Sequence, residues 1–314
     1  MAVVALVIAA ELIARFVVGL GDPPLYDLDP RMEYLYKPSK VYRRFGHTIA
    51  INSHSMRSPE FPRDKSSADE LRVLVVGDSI VTGGARIDQD ELATSILQGL
   101  LERSTGRRVV VGNVAAASWG VPNQLEYIKR YGLFDADVVI LVLNGGDVDD
   151  VPGLERIGGT WPTTKPLLAL FEPGRLTLER RLPSLAIALG LLSDSKVKVA
   201  DGRAEVRRAL AELVQVVRDR GEGPAMGVIL YSSMDDMGKP SEGLETLRAE
   251  LDGLSVPTWS SLADGEQPGF TADRSLFLPN DRVHPSAAGQ RRLAEVVHHV
   301  VLRLLEPRES PPRR

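Results

Sequence analysis

Five short apolar runs recur along the chain, and none shows the polar alternation of a half-exposed strand. Residues 73–76 (VLVV) are the plainest case: apolar at every position and rich in β-branched residues, as in a strand buried on both faces of a parallel sheet. Comparable runs lie at 108–113, 137–143, 226–231 and 256–259. Between them the apolar spacing changes from strand to helix. Leu92, Ile96, Leu100 and Leu101 share one face of a helix expected over 88–103, and a shorter helix is expected over 123–131. Asp201 caps a helix over 201–220 whose stripe is Val206, Leu210, Leu213 and Val217. Further helices are expected over 241–251, stopped at Gly253, and from Ser286 to Pro307, where Leu293, Val297, Val300 and Leu304 would be buried. Strands alternating with helices at this spacing predict an α/β fold. The expected form is a three-layer α/β/α sandwich around a central, mostly parallel, flavodoxin-like sheet.

The remaining segments divide the chain. Residues 2–20 are apolar apart from Glu11 and Arg15, which sit four apart and can pair on one helical face. Nineteen residues just suffice to cross a bilayer core, so 1–20 reads as a membrane anchor. The domain behind it is expected outside the cytoplasm. The basic residues Arg31, Lys37, Lys40, Arg43 and Arg44 argue for the opposite side by a strict positive-inside rule. Residues 21–70 read as an extension and linker with one edge strand, HTIAIN, at 47–52, and His54 reads as a solvated loop residue. The main domain spans 71–306. Its proline- and glycine-rich stretch 148–200 is expected as a lid or an added helical hairpin, and 307–314 as a disordered tail.

Composition narrows the chemistry. A net charge of -4 gives no reason to expect nucleic acid as a partner. The absence of cysteine removes disulfides, thiolate nucleophiles and Cys-ligated metal sites. The acidic run Asp147, Asp149 and Asp150 has no histidine beside it, so it reads as a solvated loop and not as a metal site; no metal and no cofactor is expected.

The first buried run ends abruptly in Gly77-Asp78-Ser79, which presents a hydroxyl where a central strand turns over at its carboxyl end. Just before the last helix stands LPNDRVHPSAAGQ, with Asp281 and His284 three residues apart. Pro285 disfavours the helical region for His284 and holds it at the helix entrance. Asp281 can accept the Nδ1–H of His284 and fix its tautomer, leaving Nε2 free to take a proton from Ser79. A serine hydroxyl is a weak nucleophile without such a base. Ser261 and Asp264 lack that pairing logic, and Asp78 is better placed to brace its own turn.

With these residues in view, the chain resembles the SGNH (GDSL-type) hydrolases, in a membrane-anchored branch to which the start of the chain and the stretch INSHSMR at 51–57 are similar. The serine block matches at Gly77-Asp78-Ser79 and the D-x-x-H block at Asp281 and His284. The resemblance implies the SGNH fold and an acyl-ester site with no metal or cofactor. It also implies an oxyanion hole built from the N–H of Ser79, a block-two backbone N–H and a block-three Asn amide. Here Ser118 stands where block two has glycine, and Gly146 where block three has Asn, with Asn144 two positions earlier. The implied function is a serine esterase acting on a small-molecule, glycan or lipid acyl ester, an acetyl ester among them. The alternatives are an O-acyltransferase acting on a surface glycan, and a degenerate binding module. A flavodoxin-like receiver would not require the Asp281–His284 pair.

Overall fold

The computed structural model describes residues 1–153, 161–189, 201–219, 223–265 and 267–306. The expected tail at 307–314, and the parts of the 148–200 stretch at 154–160 and 190–200, lie outside the described residues.

The chain begins with helix α1 (Ala2–Ile13), then hairpins β1 (Tyr26–Asp29) with β2 (Glu33–Tyr36) and β3 (Lys40–Arg44) with β4 (His47–Ile51). The central run follows as β5 (Leu71–Gly77), then a short helix α2 (Ser79–Thr82), α3 (Ala93–Thr105), β6 (Val109–Ala115), α4 (Val121–Tyr131) and β7 (Val138–Asn144). Helices α5 (Phe171–Arg181) and α6 (Pro183–Ala188) precede α7 (Gly202–Arg218), β8 (Ala225–Tyr231), α8 (Glu242–Gly253), β9 (Thr258–Ser260) and α9 (Ala287–Leu305).

Strands β6-β5-β7-β8-β9 form one five-stranded sheet in that order, every pair parallel. Strand β5 is buried at all seven positions, as its unbroken apolar pattern required. Its alternate residues feed two separate cores. Val73 and Val75 pack with α3 and α9, whereas Leu74 and Val76 pack with α4, α7, α8 and the N-terminal hairpins. The sheet is therefore covered on both faces, the three-layer arrangement expected. The chain leaves β5 toward β6 on one side and returns to β7 on the other. The crevice between the carboxyl ends of β5 and β7 is thus the topological switch point, where open α/β sheets bind ligands.

Two expectations need correction. Residues 2–20 do not form a spanning helix: α1 ends at Ile13, passes into a π-helical turn at Ala14–Val18 and stops at Gly19, whose φ is +77°. No helix among the described residues is long and apolar enough to cross a membrane. Helix α1 buries none of its residues; Glu11 pairs with Arg15 and accepts the N–H groups of Ala169 and Leu170 just before α5. The stretch before β5 is also more regular than expected, with four strands in place of one. Its aromatic residues Tyr26, Tyr34, Tyr36 and Tyr42 are buried in the main core, where their alternation with Asp, Glu and Arg had hidden them. Phe61 is fully buried as well, and Arg72, itself buried, binds the carbonyls of Pro62 and Arg63 and so pins the approach to β5.

Candidate active site

Gly77 closes β5, and Asp78 caps α2 by accepting the N–H of Ile80 at 2.9 Å. That turn leaves Ser79 as the first helical residue, half-buried at the switch point. Across from it, Ser286 caps α9 and Pro285 keeps the preceding loop out of the helix. His284 Nε2 lies 3.0 Å from Ser79 Oγ, and His284 Nδ1 lies 2.8 Å from Asp281 Oδ2. Asp281 Oδ1 also accepts the N–H groups of Val283 and His284, at 2.8 and 2.9 Å. Partial burial opposes ionisation of Asp281, but these N–H groups and the imidazole outweigh it and hold its carboxyl below the usual value. The three residues proposed from the sequence thus form one continuous hydrogen-bonded row, in which Ser79 and His284 stand 205 residues apart along the chain.

Groups that sequence reasoning missed hold this row in place. Tyr231, at the end of β8, donates its hydroxyl to Val283 O at 2.7 Å. Gln290 on α9 is fully buried; its amide donates to Ile80 O at 2.8 Å and accepts Ala93 N–H at 2.9 Å, joining the histidine's helix to the serine's. A Cβ at Gly289 would lie 2.0 Å from Leu276 O, so only glycine lets α9 start this close to the loop. No sequence period marks such residues, because each acts through one specific polar contact.

The loop after β6 supplies the second flank. Ser118 adopts φ +57°, the left-handed region that favours glycine. Its backbone is held from below: Tyr34 donates to Ala117 O at 2.5 Å, Trp119 Nε1 donates to Tyr34 O at 2.9 Å, and Asn123 donates to Met32 O at 3.0 Å. Among the described residues no acceptor engages the N–H of Ser79 or of Ser118.

The loop after β7 is arranged otherwise. The Asn144 amide donates to Asp78 Oδ2 and to Asp147 Oδ2, both at 3.0 Å, and its oxygen accepts Gly146 N–H at 2.7 Å. Both amide hydrogens of Asn144 and the N–H of Gly146 are thus already used, one on Asp78 and the others within the loop. Asp147 was expected in a solvated loop, yet it is 1% exposed, because it folds back to accept Asn144 N–H at 2.7 Å. Burial pushes Asp147 well above its ordinary value, reinforced by repulsion from Asp78. Burial likewise raises Asp78, to about 6, against the opposing pull of Ile80 N–H, His284 and Asn144. Among the described residues no group of His, Asp and Glu is arranged to hold a metal ion. Ser261 is buried and accepts Ser232 N–H, a structural contact. His54 is half-buried with its ring edge-on to Phe134, so it is not the solvated residue expected.

A cavity of about 450 Å³ opens beside Ser79 and His284. Its far wall comes from the N-terminal hairpins, through Pro23, Tyr26, Tyr36, Arg44, Phe45 and Ile49. The hairpins are tied to the nucleophile's helix by Tyr36 and Thr82, whose hydroxyls lie 3.2 Å apart. They are also tied by Arg57, which is 1% exposed and donates to the carbonyls of Thr82, Gly84 and Ile87 at 2.7, 2.5 and 2.6 Å. Burial lowers the Arg57 guanidinium to about 10, still charged at neutral pH.

Comparison with known proteins adds the following. No family model matches the chain, and no curated protein matches it. Solved structures do match. Its structural neighbours are lipolytic hydrolases of the G-D-S-L type. TesA aligns over 74% of this chain and 99% of its own, with 18% identity and a TM-score of 0.45. A lipase/acylhydrolase from Enterococcus faecalis aligns over 76% and 100%, with 13% identity and a TM-score of 0.45. A G-D-S-L family lipolytic protein from Veillonella parvula aligns over 74% and 99%, with 13% identity and a TM-score of 0.41. At such scores and identities these likenesses carry no functional weight.

Proposed function

We propose that this chain is a serine esterase that cleaves an acyl ester through an acyl-enzyme. The observation that carries the reading is the row Ser79–His284–Asp281, with hydrogen bonds of 3.0 and 2.8 Å beside an open cavity. In this reading His284 Nε2 takes the proton of Ser79 Oγ as the oxygen attacks the ester carbonyl. Asp281 keeps the proton on Nδ1 and stabilises the imidazolium. The N–H groups of Ser79 and Ser118 receive the oxyanion. Collapse of the tetrahedral adduct breaks the bond to the alkoxy oxygen, which leaves with the proton from His284. Water, deprotonated by the same imidazole, then attacks the acyl-enzyme and regenerates Ser79. A sugar hydroxyl in place of that water would make the protein an O-acyltransferase. Acetyl esters are among the candidate substrates, and attachment to a lipid surface through the exposed apolar side chains of α1 belongs to the same proposal. So does the expected extracytoplasmic placement, which protease accessibility in intact cells would read.

A specific observation favours the second reading, a binding module. The amide of Asn144 is spent on Asp78 and Asp147 and the N–H of Gly146 on Asn144, leaving two backbone donors for an oxyanion. Covalent labelling by a fluorophosphonate separates the two. An esterase labels in the wild type and loses labelling in Ser79→Ala and His284→Ala. A folded wild type that does not label refutes the esterase.

A further inference from the structure

The cavity beside Ser79 has a one-sided charge. Arg44 and Arg86 line it, and among the described residues no Asp or Glu does, although the chain as a whole is acidic. Arg86 is exposed at the rim, in the turn after α2, and forms no ion pair among the described residues. Arg44 is more elaborately placed. Its side chain is 9% exposed, and one edge of its guanidinium binds Glu172. The other Glu172 oxygen accepts Gly21 N–H at 2.7 Å, so the carboxylate is fixed from both sides. The guanidinium also lies 4.5 Å over the ring of Phe45. Phe45 holds φ +52° and Gly46 φ +83° at the tip of the β3–β4 hairpin, a backbone state that is costly for an aromatic residue. Strain of this kind concentrates where a side chain must be presented. Among the described residues, no hydrogen-bond acceptor meets the buried Nη1 of Arg44. Behind the glycines of the same wall, the buried charge of Arg57 adds to the field.

We propose that this cavity selects an ester bearing an anionic oxyacid group, a carboxylate or a phosphate, which Arg44 and Arg86 hold while Ser79 meets the ester carbonyl. The planar guanidinium is suited to such groups, and Phe45 and Glu172 fix it before the ligand enters. The inference rests on the esterase reading for its catalytic assay and adds the substrate class.

The test uses the full chain and matched ester pairs. 3-Acetoxybenzoate against methyl 3-acetoxybenzoate places the anion on the alcohol side. Mono-4-nitrophenyl adipate against 4-nitrophenyl hexanoate places it on the acyl side, and 3-acetoxyphenylphosphonate separates phosphate-like from carboxylate recognition. In at least one pair the anionic member is expected to have a kcat/KM higher by about 10-fold or more, carried mainly in KM. That ratio should fall toward one in Arg86→Gln and in Arg44→Gln, and should shrink in high salt. Arg86 is exposed, so its variant reads the proposal even if Arg44→Gln fails to fold. No anionic preference in either pair, or a preference that survives both substitutions, overturns the inference while leaving the esterase intact. If no ester is turned over, calorimetric titration of the same pairs decides: selective binding of the anionic member that Arg86→Gln abolishes upholds the inference, and equal binding overturns it.

Discussion

Replacing Asp147 by asparagine should stabilise this protein, and only above acidic pH. Asp147 and Asp78 are both buried and share the single amide of Asn144. Both bonds that Asp147 accepts, from Asn144 N and Asn144 Nδ2, fall on the same oxygen. In Asp147→Asn the carbonyl oxygen can occupy that position, keeping both bonds while one buried charge disappears. Burial, with Asp78 adding repulsion, raises Asp147 well above its ordinary value. Asp78 ionises at about 6, against 3.8 for an ordinary side chain. At about 1.4 kcal/mol per pH unit, ionising Asp78 alone in this site costs about 3 kcal/mol at neutral pH. A carboxyl raised on folding adds stability below its unfolded pKa and loses it as pH rises through the folded one. The wild type should therefore weaken from about pH 4 to pH 7 through this pair. The variant lacks one member of the pair and should weaken less. A gain of about 1–3 kcal/mol at pH 8 corresponds to a Tm higher by about 2–8 °C, with little difference at pH 4. Thermal unfolding of both proteins across that range, followed by circular dichroism, measures it. A Tm difference that is the same at both ends, or a loss at pH 8, would refute the account of the buried pair.

Three further outcomes follow from the same geometry. Ser118→Gly relieves a left-handed residue and should raise stability by about 0.5–1 kcal/mol in denaturant melts; a loss would mean the serine side chain does more than tolerate its backbone. Gly146→Asn introduces a Cβ whose single close neighbour is Asn144 Oδ1 at 3.0 Å, and it should raise esterase kcat by about 10-fold or more if an amide donor is what the site lacks. An unchanged kcat in the folded variant would show that two backbone donors complete the hole. Arg57→Met strips the buried carbonyls of Thr82, Gly84 and Ile87 of their donor and should cost at least about 3 kcal/mol in the same melts, against about 1 kcal/mol or less if water replaces the guanidinium.

What could be read from the chain divides along a physical line. Strand β5 declared itself because four consecutive apolar residues admit few other structures, and the parallel sheet with helices on both faces followed from strand–helix alternation. Ser79, Asp281 and His284 were legible because a turn, a proline and a three-residue spacing fix their local geometry. Tyr34, Tyr36 and Arg57 were not. Each sits in a segment without regular period, and its role depends on meeting residues 46 to 83 positions away in Thr82 and Ala117, or carbonyls 25 to 30 positions away. Asp147 misled for the same reason: three acids within four residues look solvated until Asn144 turns its backbone and amide on one of them.

The hairpins before residue 52 have a meaning beyond their packing. Every atom proposed to make or break a bond lies after residue 71, whereas Arg44, Phe45, Tyr26 and Tyr36, which shape what enters, lie before it. Apart from Arg86, the groups proposed to select the substrate are therefore inherited on a different stretch of chain from those proposed to react. Tyr34 and Tyr36 also brace the Ser118 loop and the nucleophile's helix, so substitutions that diversify the molecules admitted without disturbing that machinery would begin at the turn of Phe45-Gly46.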